Sequence, residues 1–145
     1  MRIYLDISCL NRPFDDQTQL RIRLESETII FILKNFNLPQ WEWISSEILQ
    51  LELEHLPVVE MKEHLLLLAS RAHYVVRLQQ KEAKRAQQIK RMGFNAFDAL
   101  HIACAESGNV DIFLTCDKKL LEQTTQVSDK LNLSIVNPLW LLEVI

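Results

Sequence analysis

A chain of 145 residues with 48% apolar and 24% charged content has the size and make-up of one soluble globular unit around a single hydrophobic core, residues 1–145. Its net charge of −3 excludes an argument for nucleic-acid binding from bulk electrostatics, although a local basic patch stays possible. With only two glycines and four prolines there is little loop chemistry, and a high helix content follows.

The first element in the chain is a short apolar strand, Ile3-Tyr4-Leu5, which delivers the carboxylate of Asp6 to its end. Burying an isolated carboxylate is strongly unfavourable, so Asp6 needs a partner. A turn-like passage follows from Ile7 to Gln17, marked by Asn11, Pro13, Asp15 and Asp16. Thr18 to Lys34 reads as an amphipathic helix, with Leu20, Leu24, Glu27, Phe31 and the Ile29–Ile30 pair at helical spacing. Asn35, Asn37 and Pro39 end it. Trp41, Trp43 and Ile44 alternate with Glu42 as in a half-buried strand. Ser45 and Ser46 offer an N-cap to a helix that begins at Glu47 and stops before Pro57.

Val58 to Ala72 forms a further helix with Met61, Leu65 and Leu68 as its core stripe. Tyr74 to Met92 reads as a longer helix, or as a short strand followed by one, with Gly93 as its stop. Asn95 opens the helix N-A-F-D-A-L-H-I-A-C-A-E-S, closed by Gly108 and Asn109. Asp111 to Thr115 is a strand, with Cys116 and Asp117 just past it, and Lys118 to Gln123 is a short helix. Leu133 to Val136 is a last strand, and Asn137-Pro138 starts the helix Leu139 to Val144. Strands separated by helices imply a mainly parallel sheet covered on both faces, a three-layer α/β/α sandwich.

The three cysteines, Cys9, Cys104 and Cys116, are odd in number and lack C-x-x-C spacing, which points to buried thiols in a reducing cytoplasm. The N-terminus is no secretory apolar segment, and the longest apolar run, Leu65 to Ala69, is far too short to span a bilayer.

Two strands end alike, Y-L-D-I-S and F-L-T-C-D, and the carboxyl ends of parallel strands line the edge where open α/β folds place ligands. Asp6 and Asp117 therefore face one crevice; a helix N-cap accounts for Asp117 equally simply and is compatible with a functional role, while a turn is the weaker account of Asp6. Asp98, three residues after Asn95, also fits a capping-box pair, yet Ala99, Ala103 and Ala105 suggest a helix pressed against the sheet. His101, one turn on, is within reach of the site but reads better as a partly buried structural histidine. Of Glu47, Glu52 and Glu54, the first suits a helix start; Glu52 lies among Leu49, Leu51, Leu53 and Leu56 and is harder to place in solvent.

Carboxylates gathered together raise one another's pKa and persist ionised at neutral pH only with a counter-cation. Oxygen-only ligands select Mg²⁺ or Mn²⁺ over zinc, and such an ion activates water and stabilises charge on a phosphoryl oxygen, the chemistry of phosphodiester hydrolysis. From Arg71 to Arg91 there are seven basic residues against one acid, Glu82. That helix either tracks a phosphate backbone, through Lys84, Arg85 and Lys90, or is a solvated face.

The ordered set Y-L-D-I-S-C-L-N-R-P-F, S-S-E-I-L-Q-L-E, F-D-A-L-H-I-A-C-A, L-T-C-D-K-K-L and V-N-P-L resembles PIN-domain ribonucleases, especially the VapC-like toxins of toxin–antitoxin pairs. The resemblance covers nearly the whole chain. It implies a metal-dependent endoribonuclease with Asp6, Glu52, Asp98 and Asp117 as its acidic site and metal ligands, Glu47 being the runner-up to Glu52. Ser8 and Thr115 would orient those acids. It also implies Mg²⁺ or Mn²⁺ as cofactor, an RNA substrate, a homodimer and a small antitoxin partner. Two alternatives stand beside it: a PIN-fold RNA-binding or protein-interaction module without catalysis, and a phosphatase, for which the D-x-D motif fails because Ser8 takes its third position.

Overall fold

The computed structural model describes residues 1–144, so the last residue of the expected 1–145 unit lies outside the described residues. Five strands form one sheet in the order β3-β2-β1-β4-β5, every neighbouring pair parallel. The strands are β1 (Arg2–Leu5), β2 (Glu42–Ser46), β3 (Tyr74–Val76), β4 (Ile112–Leu114) and β5 (Ser134–Val136). The helices are α1 (Ile7–Asn11), α2 (Leu20–Asn35), α3 (Glu47–Glu54), α4 (Val59–Ala69), α5 (Gln80–Lys90), α6 (Ala96–Ser107), α7 (Lys118–Val127) and α8 (Leu141–Val144). This is the expected three-layer α/β/α sandwich, and the stretch after Ala72 resolves into strand β3 followed by helix α5.

The core lies on both faces of the sheet, because alternate residues of β1 point opposite ways. Ile3 and Leu5 pack with Ile29, Ile32, Trp43 and Leu53 on one face. Tyr4 packs with Ile44, Ile102 and Phe113 on the other, its ring stacked on Phe113 at 5.0 Å. The end of α6 is pressed so tightly onto the sheet that a Cβ at Gly108 would lie 2.8 Å from Val76 Cγ2.

Four local expectations change. The passage after Asp6 is not a simple turn: the Asp6 carboxylate accepts the Cys9 N–H at 3.1 Å and starts α1, and a 3₁₀ turn follows over Arg12–Phe14. Strand β2 is buried on both faces, Trp43 to Ser46 alike, as a strand inside a parallel sheet must be. In α2, the Leu20, Leu24 and Phe31 stripe is exposed, and the buried side carries Glu25, Ser26, Thr28, Ile29 and Ile32. Helix α7 also runs a turn further than its apolar pattern predicts.

All three cysteines are free and buried. Among the described residues no helix is long and apolar enough to cross a membrane.

Candidate active site

The carboxyl ends of β1, β2 and β4, the three central strands, deliver the acids. Asp6 follows β1 directly, Asp117 follows β4, and β2 leads through its last residue, Ser46, into α3, which carries Glu52. Asp98 stands in the first turn of α6. All four line one cleft of about 340 Å³, together with Ser8, Asn95, Phe97 and His101.

Asp6 is almost wholly buried, and burial pushes its carboxyl above the usual range, partly offset by the Ser8 hydroxyl and the Cys9 N–H. Ser8 Oγ donates to Asp6 Oδ1 at 2.5 Å and lies 3.3 Å from Thr115 Oγ1, which in turn accepts the Asp117 N–H at 3.1 Å. Ser8 and Thr115 thus tie the end of β1 to the end of β4. Asp117 also caps α7, accepting from the backbone of Lys119 and Leu120, so its bland role is real and compatible with a place in the cleft.

Asp98 departs from the capping-box reading. Its N–H donates to Asn95 Oδ1 at 2.8 Å, but its own carboxylate makes no hydrogen bond among the described residues. That carboxyl is pushed up to about 6 by burial first and then by the negative charges of Asp117, Asp6 and Glu52.

The two candidate glutamates separate clearly. Glu47 Oε1 accepts the Leu78 N–H at 2.7 Å, outside the cleft. Glu52 reaches into the cleft and meets His101 Nε2. His101, read from the sequence as more simply structural than site-reaching, bridges both roles: its Nδ1 lies 2.6 Å from the buried Tyr4 hydroxyl while its Nε2 faces an acid of the site. Burial holds the Tyr4 phenol well above its ordinary range, so that it stays protonated. Neither Tyr4 nor Phe97, an exposed aromatic at the cleft, carried a sequence signal for the site.

The basic residues fall elsewhere. Arg85 forms a forked ion pair with Glu106, at 2.7 and 3.1 Å, and donates to the Lys130 carbonyl. Glu106 lies two turns beyond Asp98 along α6, about 12 Å away at 1.5 Å per residue, so Arg85 braces the far end of that helix. Since α5 packs antiparallel to α6, with Glu82 bonded to Ser107, the end of α5 bearing exposed Lys90 lies beside the start of α6. Lys84 is exposed midway.

The donor set fits a hard divalent cation: four carboxylates share one cleft, Asp6 is buried without a cationic partner, and Asp98 is raised by burial and then by like charge. Among the described residues, no three His, Cys, Asp or Glu side chains are drawn into a ready-made ligand cage.

The chain resembles solved structures at low identity. FitAcB from Neisseria gonorrhoeae matches with a TM-score of 0.57 at 19% identity, over 94% of this chain and 97% of that one. VapBC-1 from nontypeable Haemophilus influenzae matches with 0.55 at 18%, over 95% and 98%. VapBC2 from Rickettsia felis, bound to a DNA fragment from its promoter, matches with 0.55 at 15%, over 94% and 98%. No curated protein matches the sequence significantly. At such identities the structural likeness establishes the fold, and the family rests on the sequence itself: the PIN domain profile matches residues 3–125, so the chain belongs to the PIN domain family.

Proposed function

We propose that this protein is a divalent-metal-dependent endoribonuclease and the toxin of a toxin–antitoxin pair. The observation that carries the reading is the convergence of Asp6, Glu52, Asp98 and Asp117 on one cleft, where burial and then the neighbouring acids push the Asp98 carboxyl up to about 6. These four would hold Mg²⁺ or Mn²⁺. Such an ion, when bound, supplies an activated water and stabilises charge on a phosphoryl oxygen. Ser8 and Thr115 hold Asp6 and Asp117 at a fixed separation, and exposed Phe97 offers a face on which a nucleobase can stack. Lys90 and Lys84 draw in the RNA backbone, with Arg85 contributing less because it is already paired.

The likeness to VapBC and FitAcB complexes supports an antitoxin partner, and so does the apolar stripe Leu20, Leu24 and Phe31 exposed on α2, with Leu67 exposed on α4. The reading includes a single domain, a homodimer and a cytoplasmic setting, where RNA is available. The same stripe favours the rival, an interaction module without catalysis.

Cleavage of single-stranded RNA in Mg²⁺ or Mn²⁺ decides between them. Asp6→Asn and Asp98→Asn should each lower it at least about 100-fold with the fold intact, since residues that merely orient a metal ligand already cost about 10–100-fold. Cleavage unchanged in both variants sinks the nuclease reading, and binding of RNA without cleavage by the wild type favours the rival.

A further inference from the structure

A hydrogen-bonded chain leaves the N-terminus of α3, crosses the core and returns to the same helix. The Leu49 N–H donates to Ser46 Oγ at 3.2 Å. Ser46 Oγ lies 2.6 Å from Tyr4 OH, which lies 2.6 Å from His101 Nδ1. His101 Nε2 then meets Glu52 Oε1. Ser46 and Tyr4 are 0% exposed and His101 is 2% exposed, so water does not compete for the bonds among these three.

Matching donors to acceptors gives the chain a direction. An ionised carboxylate only accepts, so Nε2 carries the hydrogen shared with Glu52. Nδ1 then accepts from the Tyr4 hydroxyl, the Tyr4 oxygen accepts from Ser46, and Ser46 accepts from the Leu49 amide. Every donor points towards Glu52. The opposite sense would leave the Ser46 hydroxyl hydrogen without an acceptor in a site sealed from solvent, which costs more than the bond itself contributes.

Packing alone does not demand this arrangement. A buried histidine is satisfied by any acceptor, yet both nitrogens of His101 are used, and one serves a side chain of the acidic cleft on a different helix. The ring is further fixed edge-on against Tyr4, with centroids 5.8 Å apart and planes at 68°. Glutamate is long and loses much rotamer freedom when ordered, so a rigid tether on Oε1 removes that cost before any ligand arrives. Oε2 has no hydrogen-bond partner among the described residues and stays free to bind.

We infer that Tyr4 and His101 are positioning residues that aim the Glu52 carboxylate into the acidic cleft, with Ser46 as the anchor of the chain. The inference rests on the reading of that cleft as a divalent-metal site.

Two measurements on the intact protein test it. In the metal-free state, nitrogen-resolved NMR of the histidine rings should show His101 as the Nε2–H tautomer with a slowly exchanging proton. Tyr4→Phe should abolish that protection. In a Mn²⁺ titration followed by the electron paramagnetic resonance of the free ion, Tyr4→Phe should weaken affinity about 10-fold, within the range typical of groups that orient a ligand. His101→Leu should weaken it further, and His101→Gln, which keeps a donor and an acceptor, should recover part of the loss. Added to Glu52→Gln, Tyr4→Phe should cost nothing more, because it acts through Glu52. Melting curves establish which variants are folded, and His101→Gln carries the test should Tyr4→Phe not fold. Wild-type affinity in folded Tyr4→Phe and His101→Leu, while Asp6→Asn loses the ion, overturns the inference alone. Absence of Asp6-dependent Mn²⁺ binding in the wild type overturns the metal reading and the inference with it.

Discussion

Glu25 and Asp6 are both carboxylates buried in the layers flanking the sheet, and the protein holds them in opposite ways. Glu25, fully buried on the inner side of α2, has Arg12 Nε at 3.2 Å, Arg21 Nε at 3.4 Å and the Asn137 amide donating to it. The Arg12 contact is an ion pair without a well-aimed hydrogen bond, as both atoms lack a geometric partner. Asp6 has only a hydroxyl and an amide, and its charged neighbours across the cleft include further acids. A structural carboxylate comes with its cations built in, whereas the candidate site gathers acids and supplies no cation of its own. That contrast separates the two kinds of buried charge more sharply than burial does.

The largest effect should come from breaking the satisfied charge. Glu25→Ala leaves Arg12 partly buried with only Asp15, 3.0 Å away, as a carboxylate partner. Removing one member of a buried pair costs about 3–5 kcal/mol, and the remaining Asp15 puts this case near about 3. For a chain of this size that lowers the melting temperature by roughly 10 °C. Asp6→Asn should cost less than about 1 kcal/mol, because it removes a charge that nothing neutralises. Equal destabilisation by the two variants in thermal melts would erase the distinction.

Much of this was legible in the chain. The strands ending in Asp6 and Asp117 are marked by short apolar runs, and parallel pairing follows from the helices between them. The burial of α2 was not legible, because its inward Glu25 finds one cation, Arg21, on its own helix but the other, Arg12, in a 3₁₀ turn and its amide from Asn137 near the C-terminus, 112 positions on. A hydropathy pattern sees neither and assigns Leu20, Leu24 and Phe31 to the core along with the Ile29–Ile30 pair, of which Ile29 is buried and Ile30 exposed. The same limit applies to His101: its partners Tyr4 and Glu52 lie 97 and 49 positions away, and the single helical turn from Asp98 was the sole local hint.

A middling effect should appear in the pH dependence of the metal-free protein. The Asp98 carboxyl moves from its ordinary 3.8 to about 6 in the folded chain, through burial and then the charge of Asp117. Between those values the folded state binds more protons than the unfolded state, so stability falls as pH rises through this window and is flat above it. Asp98 is half-exposed, and solvent screening reduces its share to about 1 kcal/mol, or roughly 2–4 °C. Asp6 contributes in the same sense and Glu82, whose carboxyl is lowered by the Ser107 hydroxyl, in the opposite one. The informative quantity is therefore the difference between wild type and Asp98→Asn in melts from pH 4 to 7. The variant should lose that part of the slope and be the more stable protein at pH 7, while Mn²⁺ should stabilise the wild type more than the variant. Parallel curves would mean that the acids do not feel one another.

The smallest effects divide the basic face of α5. Arg85 spends its guanidinium on Glu106 and the Lys130 carbonyl, so Arg85→Ala should cost about 1 kcal/mol of stability and leave RNA affinity nearly unchanged. Lys84 and Lys90 are exposed and make no ion pair among the described residues, so their alanine variants should melt within about 0.5 kcal/mol of wild type. Each should instead lower RNA affinity and reduce the dependence of log affinity on log salt by roughly one unit, the mark of a lost phosphate contact. Lys90, at the end of α5 beside the start of α6, should matter more than Lys84. Salt titrations of RNA binding to the three variants separate bracing from contact: an Arg85→Ala slope reduced as much as that of Lys90→Ala would place the phosphate track along the whole of α5, and the acid cleft would then lie at its end rather than at its centre.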